Sequence, residues 1–282
     1  MADDVASNLA WSLRAAPAVW RGGWQAGARE LPEEAALAIT YNRVTHAVMM
    51  ATPADFYDFA VGFSLAEGLI GRVSDIEEFA VVPVVNGAEL RMWIAPALMA
   101  SLDRRRRHLA GATGCGMCGL ESLAEALRPS PAVLPGGVFT PEEIMAAAES
   151  LAPAQVLGQA TRAVHAAGFW RREGGLWGVR EDVGRHNALD KLHGALALTE
   201  VSPAEGVLVL TSRISIELVQ KAARMGVRVL VAVSAPTALA VRMAEAAGMT
   251  LVGVARRDGF EVFCGEDRVR TGWGVPAHPA LT

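Results

Sequence analysis

Apolar and polar positions divide the chain into two stretches with different rhythms. In the first, "AALAITYN" from Ala35 predicts a strand, and "TPADFYDFAVGFSLAEG" follows, with Phe56, Phe59, Ala60 and Phe63 recurring at helical spacing. Thr52 is expected to cap this helix, with Pro53 in its first turn, Asp55 completing a capping box and Gly68 as the stop. "EFAVVPVV" and "ELRMWIA" predict strands, the second alternating Leu90, Met92 and Ile94. "ALMASLDRRRRHLA" reads as a helix carrying the cationic run Arg104 to His108. "PSPAVLPGGV", residues 129–138, breaks the pattern and places a domain boundary.

Beyond it, "TPEEIMAAAESLA" is a helix capped by Thr140 with Glu143 closing the box. "AVHAAGFWRREGGLWGVRED" predicts two strands joined at Gly174 and Gly175. Then helix "NALDKLHGALAL", strand "GVLVLT", helix "ISIELVQKAARMG", strand "VRVLVAVS", helix "PTALAVRMAEAAG" and strand "TLVGVA" alternate, with Gly226 and Gly248 ending two of the helices. Near-continuous apolar strands between helices predict an α/β fold with a largely parallel sheet covered on both faces. Residues 1–30, where Trp11, Trp20 and Trp24 fall among Gly and Arg without a period, read as a loosely structured arm. The divisions are therefore the arm 1–30, a smaller N-terminal α/β domain 31–132, and a C-terminal domain 138–282.

Polar residues concentrate at the strand-to-helix junctions of the second half: "EDVGRHN" (Glu181 to Asn187), "TSRIS" (Thr211 to Ser215) and "SAPT" (Ser234 to Thr237). Such junctions share one edge of a parallel sheet, where open α/β folds bind ligands. Helix N-termini there attract anions, and Arg185 and Arg213 add cationic forks. A phosphorylated or nucleotide-like ligand fits this pattern, although neither a Gly-x-Gly-x-x-Gly fingerprint nor a P-loop lysine motif is present. His186 stands out among the histidines through its neighbours.

Composition narrows the field. At 282 residues and 52% hydrophobic, the chain can build one large core or two smaller ones. A net charge of -4 argues against general nucleic-acid binding, which displaces counterions with cationic surface. Three cysteines are no disulfide framework, and the acidic start "MADDVASNLAWSLR" lacks a secretory apolar region. The apolar run Val229 to Val241 is too short to span a bilayer, so a cytoplasmic protein with no membrane partner is expected.

Cys115 and Cys118 lie in "GATGCGMCGL", residues 111–120, among Gly114, Gly116 and Gly119. Structural zinc needs four ligands, and no second Cys-x-x-Cys exists. Zinc deaminases use His-x-Glu, which none of the six histidines begins, so no metal is expected. A thioredoxin-like pair would open a helix after a strand, a context this segment lacks. Sulfur carriage suits a mobile nucleophile: glycines permit many backbone conformations, and nearby arginines favour the thiolate.

"NRVTHAVMMATPADFYDFAVGFSLAEGLI", "GCGMCG", "EDVGRHNALDK", "SRISIELVQKAARMGV" and "VSAPTALAVRMAEAAGMTLVG" together resemble the formate dehydrogenase accessory sulfurtransferase family, over residues 33 to 270. The resemblance implies a cytidine-deaminase-like C-terminal domain without its zinc, a flexible Gly/Cys loop, and a homodimer. It implies an enzyme that moves sulfur from a cysteine desulfurase to the bis(molybdopterin guanine dinucleotide) molybdenum cofactor of formate dehydrogenase, with GDP as a cofactor analogue. It matches the persulfide cysteine to Cys115, with Cys118 assisting, and a C-terminal cofactor segment to Phe260, Glu261, Val262, Phe263, Cys264 and Gly265. Asp182, Gly184, Arg185, His186, Arg213 and Ser234 are the expected cofactor contacts at the sheet edge. The alternative is a non-catalytic cofactor chaperone whose thiols are incidental. The chain departs from the family pattern at Asn42-Arg43, at Thr161-Arg162-Ala163-Val164-His165, where glycines are usual, and mildly at Thr211-Ser212-Arg213.

Overall fold

A computed structural model of the chain describes residues 10–99 and 128–270. The Gly/Cys loop, Cys115, Cys118 and the cationic run 104–108 lie outside the described residues. The expected loose arm instead forms two nested ladders. Ser12–Ala15 (β1) pairs with Arg29–Pro32 (β4), and Ala18–Trp20 (β2) pairs with Trp24–Ala26 (β3). Strands of three or four residues are too short to declare a period. The inner turn is held by Trp20 and Trp24, which face each other across the strands edge-on at 5.6 Å.

The first half builds a four-stranded sheet in the order β6-β5-β8-β7 from Ala35–Tyr41 (β5), Val44–Ala51 (β6), Ile76–Val84 (β7) and Gly87–Ile94 (β8). β5 and β8 are parallel, and the other pairs are antiparallel. Phe56–Ala66 (α1) covers one face, and Phe56, Phe59, Ala60 and Phe63 are buried against Leu37, Ile39, Leu90, Met92 and Ile94, as the spacing predicts. Gly68 follows in the left-handed conformation that ends the helix. The expected Thr52 cap is not made: α1 begins after Asp55, itself left-handed and making no side-chain cap bond. Thr52 is buried and bonded elsewhere, as described below.

The second half builds a six-stranded sheet, β10-β9-β11-β12-β13-β14. Its strands are His165–Arg171 (β9), Gly175–Asp182 (β10), Gly206–Leu210 (β11), Val229–Ala232 (β12), Thr250–Arg256 (β13) and Gly259–Cys264 (β14). Only β11/β12 and β12/β13 are parallel. The sheet is therefore mixed rather than largely parallel. The two flanking hairpins, β9–β10 and β13–β14, lack an intervening helix, and a direct turn can join only antiparallel strands.

Alternate residues of the central strands feed two cores. Val207 and Val209 face Pro141–Ala154 (α2), which carries the expected Thr140/Glu143 capping box. Leu208 and Leu210 face Arg185–Leu198 (α4), Ile216–Met225 (α5) and Ala238–Ala246 (α6). The short helix Val156–Thr161 (α3) connects α2 to β9.

The two halves meet where α1 crosses α4, almost backbone to backbone. A Cβ on Gly62 would lie 1.7 Å from the Asp190 carbonyl oxygen, and one on Gly194 would lie 1.9 Å from that of Asp58. Each glycine opposes the other helix's main chain, so neither can give way for a methyl group. Gly62→Ala and Gly194→Ala are each expected to lower stability by about 2–4 kcal/mol, at or above the usual cost of overpacking. Urea unfolding measures this. A change within about 0.5 kcal/mol, the range of ordinary surface substitutions, would show the crossing is looser than described.

Candidate functional site

The end of β10 turns into α4 through Asp182, whose carboxylate is fully buried and fully engaged. It accepts from the main-chain N–H of Thr52 at 3.0 Å and of Gly184 at 2.8 Å, and from Asn187 Nδ2 at 3.0 Å. It also pairs with Lys191 Nζ at 2.7 Å, both side chains 0% exposed. Lys191 donates to the Thr52 carbonyl, Thr52 Oγ1 accepts from the Val183 N–H, and Asn187 donates to the Met50 carbonyl. This knot ties the end of β6 to the start of α4. Asp182 is thus the organiser of the junction, with no oxygen turned outward.

Further pairs continue along the same seam. Arg180 bonds Asp58 at 2.6 Å. Lys221 bonds both Asp190 oxygens at 2.9 Å and Glu67 at 3.1 Å. Burial opposes the Lys221 ammonium, but the Asp190 and Glu67 carboxylates outweigh it and hold its pKa above the usual lysine value.

Past the knot, the polar groups change character. Gly184 is the N-cap of α4, and α4 has no side-chain cap. A Cβ on Gly184 would sit 2.8 Å from Asn187 Nδ2, so glycine keeps the Asp182 knot closed. Arg185 and His186 form the first turn, and Arg185 Nε and His186 Nε2 are buried without a hydrogen-bond partner. Unpaired buried polar groups are costly, about 1–3 kcal/mol each. Two adjacent at an uncapped helix start have the chemistry to receive a polar, acceptor-rich ligand. Burial, then the Arg185 and Lys221 cations, push the His186 pKa down to about 4. His165, at the start of β9 opposite Asp182, is lowered by burial and by Arg185. Glu217, in the first turn of α5, is the nearby carboxylate; its charge opposes the lowering at His186.

α5 also begins without a side-chain cap, whereas Thr237 caps α6 by accepting from the Ala240 N–H. The "TSRIS" and "SAPT" loops are joined: Ile214 N–H donates to the Ala235 carbonyl, and Thr237 N–H to that of Ile214. Arg213 is exposed on the first loop, and Ser234 is half-buried on the second, its carbonyl accepting from Val254 N–H. Val254 has φ 52, a left-handed conformation that is a strained outlier for a β-branched residue. The strain sits at a bulge of β13 beside this loop.

The C-terminal segment does not stay together at this edge. Arg256 pairs with Gly259 near it, but Leu251 pairs with Cys264 at the other end, about 16 Å along the strand. Phe260 and Val262 pack on the α2 side of the sheet, Phe263 packs on the opposite side, and Glu261 is exposed. Cys264 is buried, its thiol pushed up to about 12 by burial, and Gly265 lies against Met249 and Thr250. Among the sequence-derived contacts, the structure gathers Gly184, Arg185, His186, Arg213 and Ser234 at one edge. It leaves Cys264 and Gly265 at the other. Sequence reading missed Thr52, Lys191 and Glu217. The pair Asp190-Lys191 inside an apolar helix was the available signal, since a charge at such a position needs a buried partner.

Fold and edge together define a two-part α/β protein with unpaired buried polar groups at one sheet edge, whose sequence also carries the cysteine pair Cys115 and Cys118. The sequence profile of the FdhD/NarQ family matches residues 32–270, and the chain belongs to that family. It is 49% identical to the Agrobacterium fabrum sulfur carrier protein FdhD over 245 residues, 86% of this chain and 90% of that protein. Brucella abortus sulfur carrier protein FdhD is also 49% identical, over 86% of this chain and 91% of its own. A crystal structure from Desulfotalea psychrophila, described as a formate dehydrogenase accessory protein, superposes with a TM-score of 0.73 at 26% identity, covering 92% of this chain and all of the other. Among the described residues no helix is long and apolar enough to cross a membrane.

Removing one partner of the buried pair leaves the other charge uncompensated. Lys191→Met is expected to cost about 3–5 kcal/mol in urea unfolding. A loss under about 1 kcal/mol would place the pair with exposed ones instead. For His186 the sign follows from its lowered pKa. Between 6.5 and about 4 the unfolded chain binds a proton that the folded chain refuses, so stability present above 6.5 is lost as pH falls through that window. His186→Gln is expected to flatten the slope of unfolding free energy against pH there. An unchanged slope would mean His186 titrates alike in both states.

Proposed function

We propose that the protein is a sulfur carrier in formate dehydrogenase maturation. Cys115 thiolate attacks the sulfane sulfur of a cysteine desulfurase persulfide. The donor S–S bond breaks, the donor cysteine leaves as a thiolate, and a persulfide forms on Cys115. Cys118 thiolate then attacks Cys115 Sγ, forming a Cys115–Cys118 disulfide and releasing sulfide to the substrate. That substrate is the molybdenum centre of the bis(molybdopterin guanine dinucleotide) cofactor, before or during its delivery to the catalytic subunit of formate dehydrogenase.

The observation that carries the binding half of this reading is the pair of unpartnered buried nitrogens, Arg185 Nε and His186 Nε2, at the uncapped start of α4. The cofactor is rich in phosphate oxygens, which such donors and a helix N-terminus favour. Neutral His186 can donate without adding charge. Arg213 on the neighbouring loop is exposed and free to meet a second phosphate. Support for the sulfur half comes from the family and the relatives that carry the name sulfur carrier protein. We read the C-terminal half as cytidine-deaminase-like, a reading supported by a hairpin followed by three strands in sequential order. The working unit is a cytoplasmic homodimer.

Intact-protein mass spectrometry after incubation with a cysteine desulfurase and cysteine tests the sulfur step. One added sulfur atom, removed by reductant and absent in Cys115→Ala, is expected. No added sulfur with GDP binding intact would leave a cofactor chaperone with incidental thiols. In the same preparation, Arg185→Gln is expected to weaken GDP binding about tenfold or more, the size of a lost charge-assisted hydrogen bond. Unchanged affinity would move the nucleotide away from α4.

A further inference from the structure

A cavity lies in the crease where the C-terminal end of α1 meets α4 and α5. Its volume is about 470 Å³, within the range of small-molecule sites. Leu65, Leu69, Ile70 and Leu98 form apolar walls, Gly68 and Gly71 lie along its margin, and His193 and Arg224 form a polar wall. His193 is 8% exposed, and its Nδ1 is buried with no hydrogen-bond partner. Burial, then Lys221 and Arg224, push its pKa down to about 3, so the ring is neutral at physiological pH. A neutral imidazole carries one N–H donor and one acceptor nitrogen, and leaving either buried and unpaired is unfavourable. Nothing in the sulfur-transfer reading uses this residue.

We propose that this crease binds a small molecule with an apolar body and a single carboxylate head. The aliphatic walls take the body. The carboxylate, an acceptor only, takes the His193 N–H and faces the positive charge of Arg224. A second polar head would have to sit against Leu65, Leu69 or Ile70 and lose its hydration, which limits the ligand to one. The site is separate from the sheet edge, although His193 stands two turns along α4 from His186, about 10 Å away. A ligand here bridges the two halves of the protein beside their crossing.

Displacement of the fluorescent aromatic sulfonate 8-anilino-1-naphthalenesulfonate from the full-length protein tests this, with octanoate and 1-octanol as competitors. The expected result is saturable displacement by octanoate at one site per chain, with at least a tenfold preference over octanol. Gly71 lies at the cavity margin and its Cβ meets only Asp75 Oδ2 at an ordinary 3.6 Å, so Gly71→Phe is expected to fold, to obstruct the cavity and to lose both competitors. His193→Leu is expected to keep octanol and lose the preference for octanoate. Arg185→Gln is expected to bind octanoate like the wild type, which keeps this site independent of the nucleotide edge. Octanoate displacement unaffected by Gly71→Phe, or an octanoate preference that survives His193→Leu, would overturn the assignment. So would the absence of saturable displacement from a wild type that still binds GDP.

Discussion

The structure hangs on the crossing of α1 and α4. Helices usually pack with axes 8–10 Å apart, their side chains interleaved. Here Gly62 and Gly194 remove the side chains at the contact, and each helix rests on the other's main chain. That approach brings Asp182, Lys191 and Thr52 within hydrogen-bond distance of one another, although Thr52 is far away in sequence. Buried ion pairs seldom add net stability, because desolvation consumes the Coulomb gain. What this pair supplies is registry. With every Asp182 oxygen and the Lys191 ammonium committed, α4 can neither slide nor rotate against α1 without exposing a charge to an apolar surround. The direction in which Arg185 and His186 point is therefore fixed by a helix in the other half of the protein.

This dependence explains which features were legible in the sequence. Helices and strands of ordinary length were readable because each carries its own period: the α1 phenylalanines, the Leu90-Met92-Ile94 alternation and the Thr140/Glu143 box all fall where the pattern puts them. Thr52 was misread for a physical reason. A threonine before proline has the local chemistry of a cap, and only the fold reveals that its N–H, hydroxyl and carbonyl are all claimed by residues 182, 183 and 191. Asp182 reads as a ligand contact because an acid at a strand end looks functional, and one of its partners, Thr52, comes from another part of the chain. Strand direction was likewise hidden. Apolar runs report burial on both faces, which the parallel core strands share with the antiparallel β9.

The departures from the family pattern also acquire a structural meaning. Asn42 and Arg43, with φ 48 and 68, form the two-residue turn between β5 and β6, the turn type for which Asn-Gly is the usual choice. Arg162 occupies the left-handed end of α3, with φ 57. An arginine at such a position costs about 1 kcal/mol or more over glycine. Asn42 compensates at its turn, its amide bonding the Ile94 carbonyl and its side-chain oxygen the Ile94 N–H. Both arginines are exposed, so the substitutions alter surface charge and leave the cores unchanged.

The conformational cost accepted at these two turns contrasts with that at Val254. A solvent-facing arginine can lose its strain by mutation to glycine with little consequence for packing. At Val254 the surroundings hold the conformation itself: its N–H donates to the Ser234 carbonyl, and its neighbour Gly253 has Phe263 and Pro236 within 3 Å of where a Cβ would be. The bulge at 253–254 thereby pins the "SAPT" loop, the loop is joined to Ile214, and Ile214 precedes the uncapped start of α5. Strain at one strand end is thus held in place by contacts that together set a second helix N-terminus beside that of α4. Two elements position the sheet edge from opposite sides: the α1–α4 crossing orients Arg185 and His186, and the β13 bulge orients the Arg213 and Ser234 loops. An edge held by such contacts is ordered without a ligand, so the affinity for the proposed cofactor would not be spent on ordering the site.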